Sequence, residues 1–212
     1  MEPLIVLVHI PKTGGTSLRV AAEHYFGPER MLYDYGAAAM LTSDLVREWV
    51  HEKRDLERFV QEVAEGGFRF LSGHFQLQKY AGVMPDARFV SWIRQPVARI
   101  WSSYRHYFTH KGFEGSFQEF YSRYRFRDEQ SRFLGNEPDR LDFIGITERF
   151  GESLRRFNRQ FEVEFEQHRS NTTPPSDTMN PPGPEDVAEI EAFNRKDMAL
   201  YRSTERKFLG QQ

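Results

Sequence analysis

Residues 4–10 (Leu-Ile-Val-Leu-Val-His-Ile) form an apolar, β-rich run that breaks at once into Pro11-Lys12-Thr13-Gly14-Gly15-Thr16-Ser17. A helical pattern through Leu18, Val20, Ala21, Ala22, Tyr25 and Phe26 follows, and Gly27-Pro28 stops it. An uninterrupted apolar run suits a central parallel strand covered on both faces. A Gly-Gly loop between such a strand and a helix aims several backbone N–H groups at one point, where the helix dipole places its positive end. Gly14 and Gly15 let that backbone approach an anion closely. Thr16 and Ser17 can cap the helix and donate hydroxyl hydrogen bonds, and Lys12 adds a full charge. Two glycines can also make a plain turn with Thr16 or Ser17 as N-cap. That reading leaves the order strand, lysine, Gly-Gly, Thr-Ser, helix unexplained.

The same alternation continues downstream. Apolar strands are predicted at 68–71, ending in Ser72-Gly73-His74, at 88–93, ending at Arg94, and at 143–146, with a short fifth strand at 163–165. The spacing of Leu41, Leu45, Val46, Trp49, Leu56, Phe59, Val60 and Val63 predicts a helix over 37–64, broken by Gly66-Gly67. Pro96 stands where a first helical residue belongs, and its helix runs to about residue 110. Helices are predicted within 117–134 and over 148–161, the latter capped by Thr147. A polar, Pro-rich loop at 170–184 precedes a terminal helix over 185–208. Neither an internal repeat nor a domain linker is evident. The pattern predicts one α/β domain over 1–212, P-loop-like and three-layered, whose central, mostly parallel sheet of four to five strands is flanked by helices. Functional groups in such sheets collect at the carboxyl ends of the strands, where residues 12–17, His74 and Arg94 fall.

With 29 basic and 31 acidic residues the net charge is −2, so nothing draws nucleic acid or anionic membrane to the chain as a whole, and an anion site must be local. The absence of cysteine excludes disulfides, thiolate metal sites and cysteine nucleophiles. The run at 4–10 is too short for a signal-peptide core, and no stretch approaches the roughly eighteen apolar residues of a membrane span. The chain reads as soluble and cytoplasmic.

The loop is not a Walker A motif, in which the lysine follows the glycines; here Lys12 precedes them. A Mg²⁺-dependent kinase also needs an acidic residue at a strand end, whereas the strand at 88–93 ends in Arg94 and no Asp is expected after any apolar strand. Ser102 follows Arg94 by eight residues, about two helical turns into the helix. A guanidinium fork with a hydroxyl suits a phosphate monoester; a surface ion pair beside a neutral helix residue is the equal alternative. Of seven histidines, His74 alone follows a strand-ending Ser-Gly at the edge where the loop lies, in position to accept a proton as a neutral imidazole. A loop-backbone hydrogen bond is the plainer role for it. His9, inside the first strand, is expected to be a satisfied core residue. His106 and His110 have the i, i+4 spacing of zinc ligands but no adjacent Glu and no third ligand, so no metal site is assigned and they read as acceptor-side or solvated.

Taken together, these segments resemble the carbohydrate sulfotransferases, especially the heparan sulfate 2-O-sulfotransferase-like branch. Residues 11–17 resemble the family's 5′-phosphosulfate loop, and Arg94, Pro96, Arg99, Ser102 and Tyr104 resemble its 3′-phosphate motif. Weaker echoes are Glu129-Gln130-Ser131-Arg132-Phe133-Leu134-Gly135, Gly145-Ile146-Thr147-Glu148-Arg149-Phe150 and the late loop Asn171-Thr172-Thr173. The likeness spans most of the chain. It implies 3′-phosphoadenosine-5′-phosphosulfate (PAPS) as donor and metal-free, in-line transfer to a hydroxyl of a saccharide or small-molecule acceptor. Lys12 would neutralise the bridging oxygen, and Thr13, Gly14, Gly15, Thr16 and Ser17 would hold the 5′-phosphate. Arg94 and Ser102 would hold the 3′-phosphate, Thr172 would touch the donor, and His74 would be the base. Other branches use a glutamate base, so a carboxylate stays open. A sulfuryl group carries less charge than a terminal phosphoryl, so the missing acidic cluster favours sulfuryl transfer. The alternatives are a nucleotide kinase or NTPase on a similar sheet, and a nucleotide-binding module without catalysis.

Overall fold

The computed structural model describes residues 3–135, 138–167 and 180–210. Strand β1 (Ile5–Val8) leads into helix α1 (Gly15–Phe26), and a 3₁₀ turn delivers β2 (Met31–Asp34). Helix α2 (Asp44–Val46) runs on as π-helix through Arg47–Glu52, and α3 (Leu56–Glu65) follows. Next come β3 (Phe70–Gly73), α4 (Gln78–Ala81), β4 (Arg88–Ile93) and α5 (Pro96–His110). Helices α6 (Phe117–Tyr121) and α7 (Glu129–Leu134) precede β5 (Phe143–Ile146), and α8 (Phe150–Phe161), α9 (Pro184–Phe193) and α10 (Arg195–Leu209) close the order.

All strand pairings are parallel, in the order β2-β3-β1-β4-β5. Residues on β1 alternate between two cores. Ile5 and Leu7 face one built with α1 and α8 (Leu18, Leu154, Phe157), while Val6 and Val8 face the other (Val46, Phe59, Tyr80, Tyr201, Phe208). Helices therefore cover both faces, which is why the strand is apolar at every position rather than at every second one. A third, aromatic cluster joins α5 to α6 and α9 through Ile100, Tyr104, Phe120 and Ile190. Among the described residues no helix is long and apolar enough to cross a membrane.

Several local expectations are corrected. Strand β2 went unforeseen because Met31-Leu32-Tyr33-Asp34 is short and ends in a charge. The span 37–64 is not one helix. At its start, Thr42 Oγ1 donates to the Gly36 carbonyl at 2.7 Å, and Arg47 donates to the Ala37, Ala39 and Thr42 carbonyls, holding a turn. A left-handed Arg54 (φ 56°) then separates the π-helix from α3, which Asp55 caps by accepting from Arg58 N at 2.9 Å. Residues 163–165 form no strand: Asn158 bonds both backbone groups of Phe165, at 2.9 and 3.2 Å, and takes the place of a neighbouring strand. The terminal helix is two, broken at Asn194, whose side chain accepts from Asp128 N and donates to the Ile190 carbonyl. Neither Thr16 nor Ser17 caps α1, whose N-cap is a left-handed Gly14 (φ 88°) without a side-chain cap bond. Thr147 does not cap α8 either; residues Thr147–Arg149 form a 3₁₀ turn and the α-helix starts at Phe150.

Candidate active site

The chain leaves β1 toward the β2 edge and leaves β4 toward the β5 edge, so the carboxyl ends of neighbouring β1 and β4 flank a topological switch point. The loop after β1 and Arg94 after β4 meet there. Lys12, Gly14, Thr16, Ser17, His74, Arg94 and Ser102 line one cavity of about 1050 Å³. Leu41, His106, Tyr107, His110 and Phe126 line it as well. Residues from both 37–61 and 104–126 thus contribute to it. A second space of about 1250 Å³, beside α7, α8 and α10, contains none of the predicted site residues.

The loop is held from behind. Thr13 is fully buried and its hydroxyl donates to the Ile10 carbonyl at 2.9 Å, so its side chain faces the core and not the cavity. Gly15 is buried too: a Cβ there would come within 2.2 Å of the His9 ring, so only glycine lets the loop lie on that histidine. Thr147 Oγ1 lies 2.5 Å from the Thr13 carbonyl oxygen and 2.9 Å from that of Ile93, bridging the loops after β1 and β4. Thr172 lies outside the described residues.

Arg94 is gripped through its backbone. Its N–H donates to Gln130 Oε1 at 2.8 Å, and Gln130 Nε2 donates to its carbonyl at 2.9 Å. The guanidinium donates to the Lys12 carbonyl at 3.3 Å and lies 3.9 Å from Glu148, at the edge of the cavity. Arg99, by contrast, is fully buried, paired with Glu129 and bonded to the Phe126 carbonyl at 3.0 Å. It braces the site from inside. Tyr104 is likewise buried in the aromatic cluster, 3.3 Å from the Gly115 carbonyl.

Two cations thus stand close together. Burial, reinforced by Arg94 and Arg105, holds the Lys12 ammonium below its usual pKa. Burial and Arg99 lower Arg94 as well, against the pull of Glu148. Among the described residues no carboxylate pairs with Lys12. A partly desolvated pair of cations beside a glycine loop that opens into a helix N-terminus suits an anion. His74 lines the cavity with an exposed edge, and the desolvation imposed by its neighbours lowers its pKa to about 4, so the ring is neutral at pH 7. His9 is buried and bonded through Nδ1 to Tyr35 at 2.9 Å, as a satisfied core residue should be, and it also edges the cavity. One expectation about acidic groups fails: Asp34 does end an apolar strand. Burial alone would raise its pKa, but hydrogen bonds from Lys79, Tyr80 and His51 outweigh that and hold the carboxyl below the usual range, fully engaged.

The chain shares its architecture over 94% of its length with a sulfotransferase from Alicyclobacillus acidocaldarius, at 17% identity and a TM-score of 0.55, covering 94% of that protein. A mouse sulfotransferase in complex with PAP matches 91% of the chain, at 12% identity and a TM-score of 0.51, with 63% of the mouse protein covered. The fold is that of a sulfotransferase. No described protein family and no curated protein matches the sequence itself. Within this sulfotransferase fold, the residues that sequence reasoning missed are Tyr35, Gln130 and Thr147's bridging role. Gln130 and Thr147 stood in the echoed segments, but nothing in the sequence tells which backbone a side chain will grip.

Proposed function

We propose that this protein transfers a sulfuryl group from PAPS to an acceptor hydroxyl. The observation that carries the proposal is Lys12, without a carboxylate partner among the described residues, beside Arg94 on a Gly-Gly loop whose backbone leads into a helix N-terminus. The fit to PAPS is chemical: a 5′-phosphosulfate suits loop N–H groups with one lysine, and a 3′-phosphate suits an arginine fork with a hydroxyl. Gly14, Gly15, Thr16, Ser17 and the Thr13 backbone would hold the first, and Arg94 with Ser102 the second, with Thr172 as a further contact.

PAPS supplies an activated sulfuryl group. His74, neutral at pH 7, accepts the acceptor's proton as the new oxygen–sulfur bond forms. Lys12 balances the charge that grows on the 5′-phosphate oxygen as the old sulfur–oxygen bond breaks. A kinase reading is opposed by the loop order and by Asp34, whose carboxylate is committed to three neighbours. The acceptor is read as a hydroxyl of a saccharide or glycoconjugate, following the resemblance to the carbohydrate branch, with a small molecule as the alternative, and the lack of cysteine suits a cytoplasmic setting.

The test is transfer of label from [³⁵S]PAPS to an acceptor in an extract of the cells the protein comes from. Wild type should incorporate label, and His74→Ala should lower the rate by roughly 10²–10⁴-fold with PAP affinity kept. Incorporation that is equal in both proteins removes His74 from the role of base. No incorporation, despite PAP binding, leaves the binding-module alternative.

A further inference from the structure

Three rings meet where the cradle ends and the base begins. His74 contacts His9 and Tyr35 in edge-on geometry, with centroids 4.7 Å away in each case, and His9 and Tyr35 contact each other at 5.8 Å. Tyr35 ties this group to the sheet, since its hydroxyl lies 2.9 Å from His9 Nδ1 and 3.0 Å from Ser72 Oγ. Ser72 is fully buried on β3, two residues before His74. The far edge of His9, at Cδ2 and Nε2, is the surface on which Gly15 rests. One buried imidazole therefore touches the donor loop on one edge, the base on its face side, and a sheet-anchored hydroxyl at Nδ1.

A plain core histidine needs only a partner for its buried nitrogen, and Tyr35 provides that. It does not need to be the floor of a phosphate loop, nor to share a hydroxyl with the strand that carries the base. We infer that His9 and Tyr35 are positioning residues that hold the His74 ring in one orientation relative to residues 14–17. The inference rests on the sulfotransferase reading of the site, and extends it to two residues outside the cradle and the base. Reactions of this kind lose rate steeply when a catalytic group moves by about an ångström, so a pair that fixes the imidazole matters more to transfer than to donor binding.

The test combines Tyr35→Phe and His9→Gln, each alone and in the His74→Ala background. It measures [³⁵S]PAPS transfer into the extract-borne acceptor and PAP affinity by calorimetry. Tyr35→Phe removes a single oxygen, so it carries the test if His9→Gln does not fold. Tyr35→Phe should transfer roughly 10–100-fold more slowly with PAP affinity within about twofold of wild type, and His9→Gln should slow transfer by more than it weakens PAP binding. Added to His74→Ala, neither should slow transfer further, because residues that act through one group are not additive. Wild-type rates in the single variants overturn the inference, and so does a further full loss in the double variants. Wild type that binds no PAP and transfers no label overturns the donor reading, and this inference with it; that outcome is distinct because it needs no variant.

Discussion

At Lys12 the backbone turns left-handed, with φ 68°, a conformation that costs a lysine of the order of 1 kcal/mol and that holds the side chain beside Arg94. The two cations divide the work differently. Arg94→Ala should weaken PAP binding by about 1.5–3 kcal/mol, roughly 10- to 150-fold in Kd, read by calorimetry. On the proposed function, Lys12→Ala should lower transfer far more than it lowers PAP affinity, because its charge would be needed most as the bond breaks. Acid should destabilise the protein. His9, His74 and His106 all have pKa values depressed by burial, so below about pH 6.5 the unfolded chain takes up protons that the folded one refuses. Their stabilising contribution is present above that pH and fades as pH falls toward 4. The melting temperature should drop between pH 7 and pH 5, and drop less in His74→Ala. At this scale the sequence displayed residue types and order: Lys12, the glycines, His74 and Arg94 were legible because each follows an apolar strand. Tyr35 was not, since it follows an unrecognised four-residue strand. The inward turn of Thr13 and the burial of Arg99 depend on partners distant in the chain.

Helix α7 shows how an element positions the site. Asp197 is fully buried on α10 and accepts from Gln130 N at 3.1 Å, from Ser131 N at 2.7 Å and from Ser131 Oγ at 2.7 Å, so it caps α7 across the molecule. Asp128 returns the favour by accepting from the Lys196 and Asp197 N–H groups at 2.9 and 3.0 Å. Helix α7 in turn presents Gln130 to the Arg94 backbone and Glu129 to Arg99. Asp197→Ala leaves buried N–H groups unpaired, at about 1–3 kcal/mol each, and should lower the melting temperature and also weaken PAP binding. A variant that melts early yet binds PAP normally would separate α7 from the site. The elements that sequence patterns revealed were those with strong periodicity or punctuation, such as β1, α1, β4 and the Pro96-led α5. Boundaries failed where side chains replace local signals: Arg47 and Thr42 hold a turn inside an apparent helix, Asn158 stands in for a strand, and Asn194 splits the last helix.

For the molecule as a whole, a net charge of −2 coexists with a cavity whose cradle is positive, because the sheet order brings the ends of β1 and β4 together at its switch point. Binding energy is therefore local, and long-range attraction should contribute little to it. The most direct measurement is calorimetric titration of 3′-phosphoadenosine-5′-phosphate into the protein in EDTA, beside ATP with Mg²⁺, for wild type and for Lys12→Ala/Arg94→Ala. The account predicts one-site binding of the bisphosphate without a divalent cation, its loss in the double variant, and no comparable binding of ATP–Mg²⁺. Binding of ATP that depends on Mg²⁺, or bisphosphate binding that survives the loss of both cations, would contradict it.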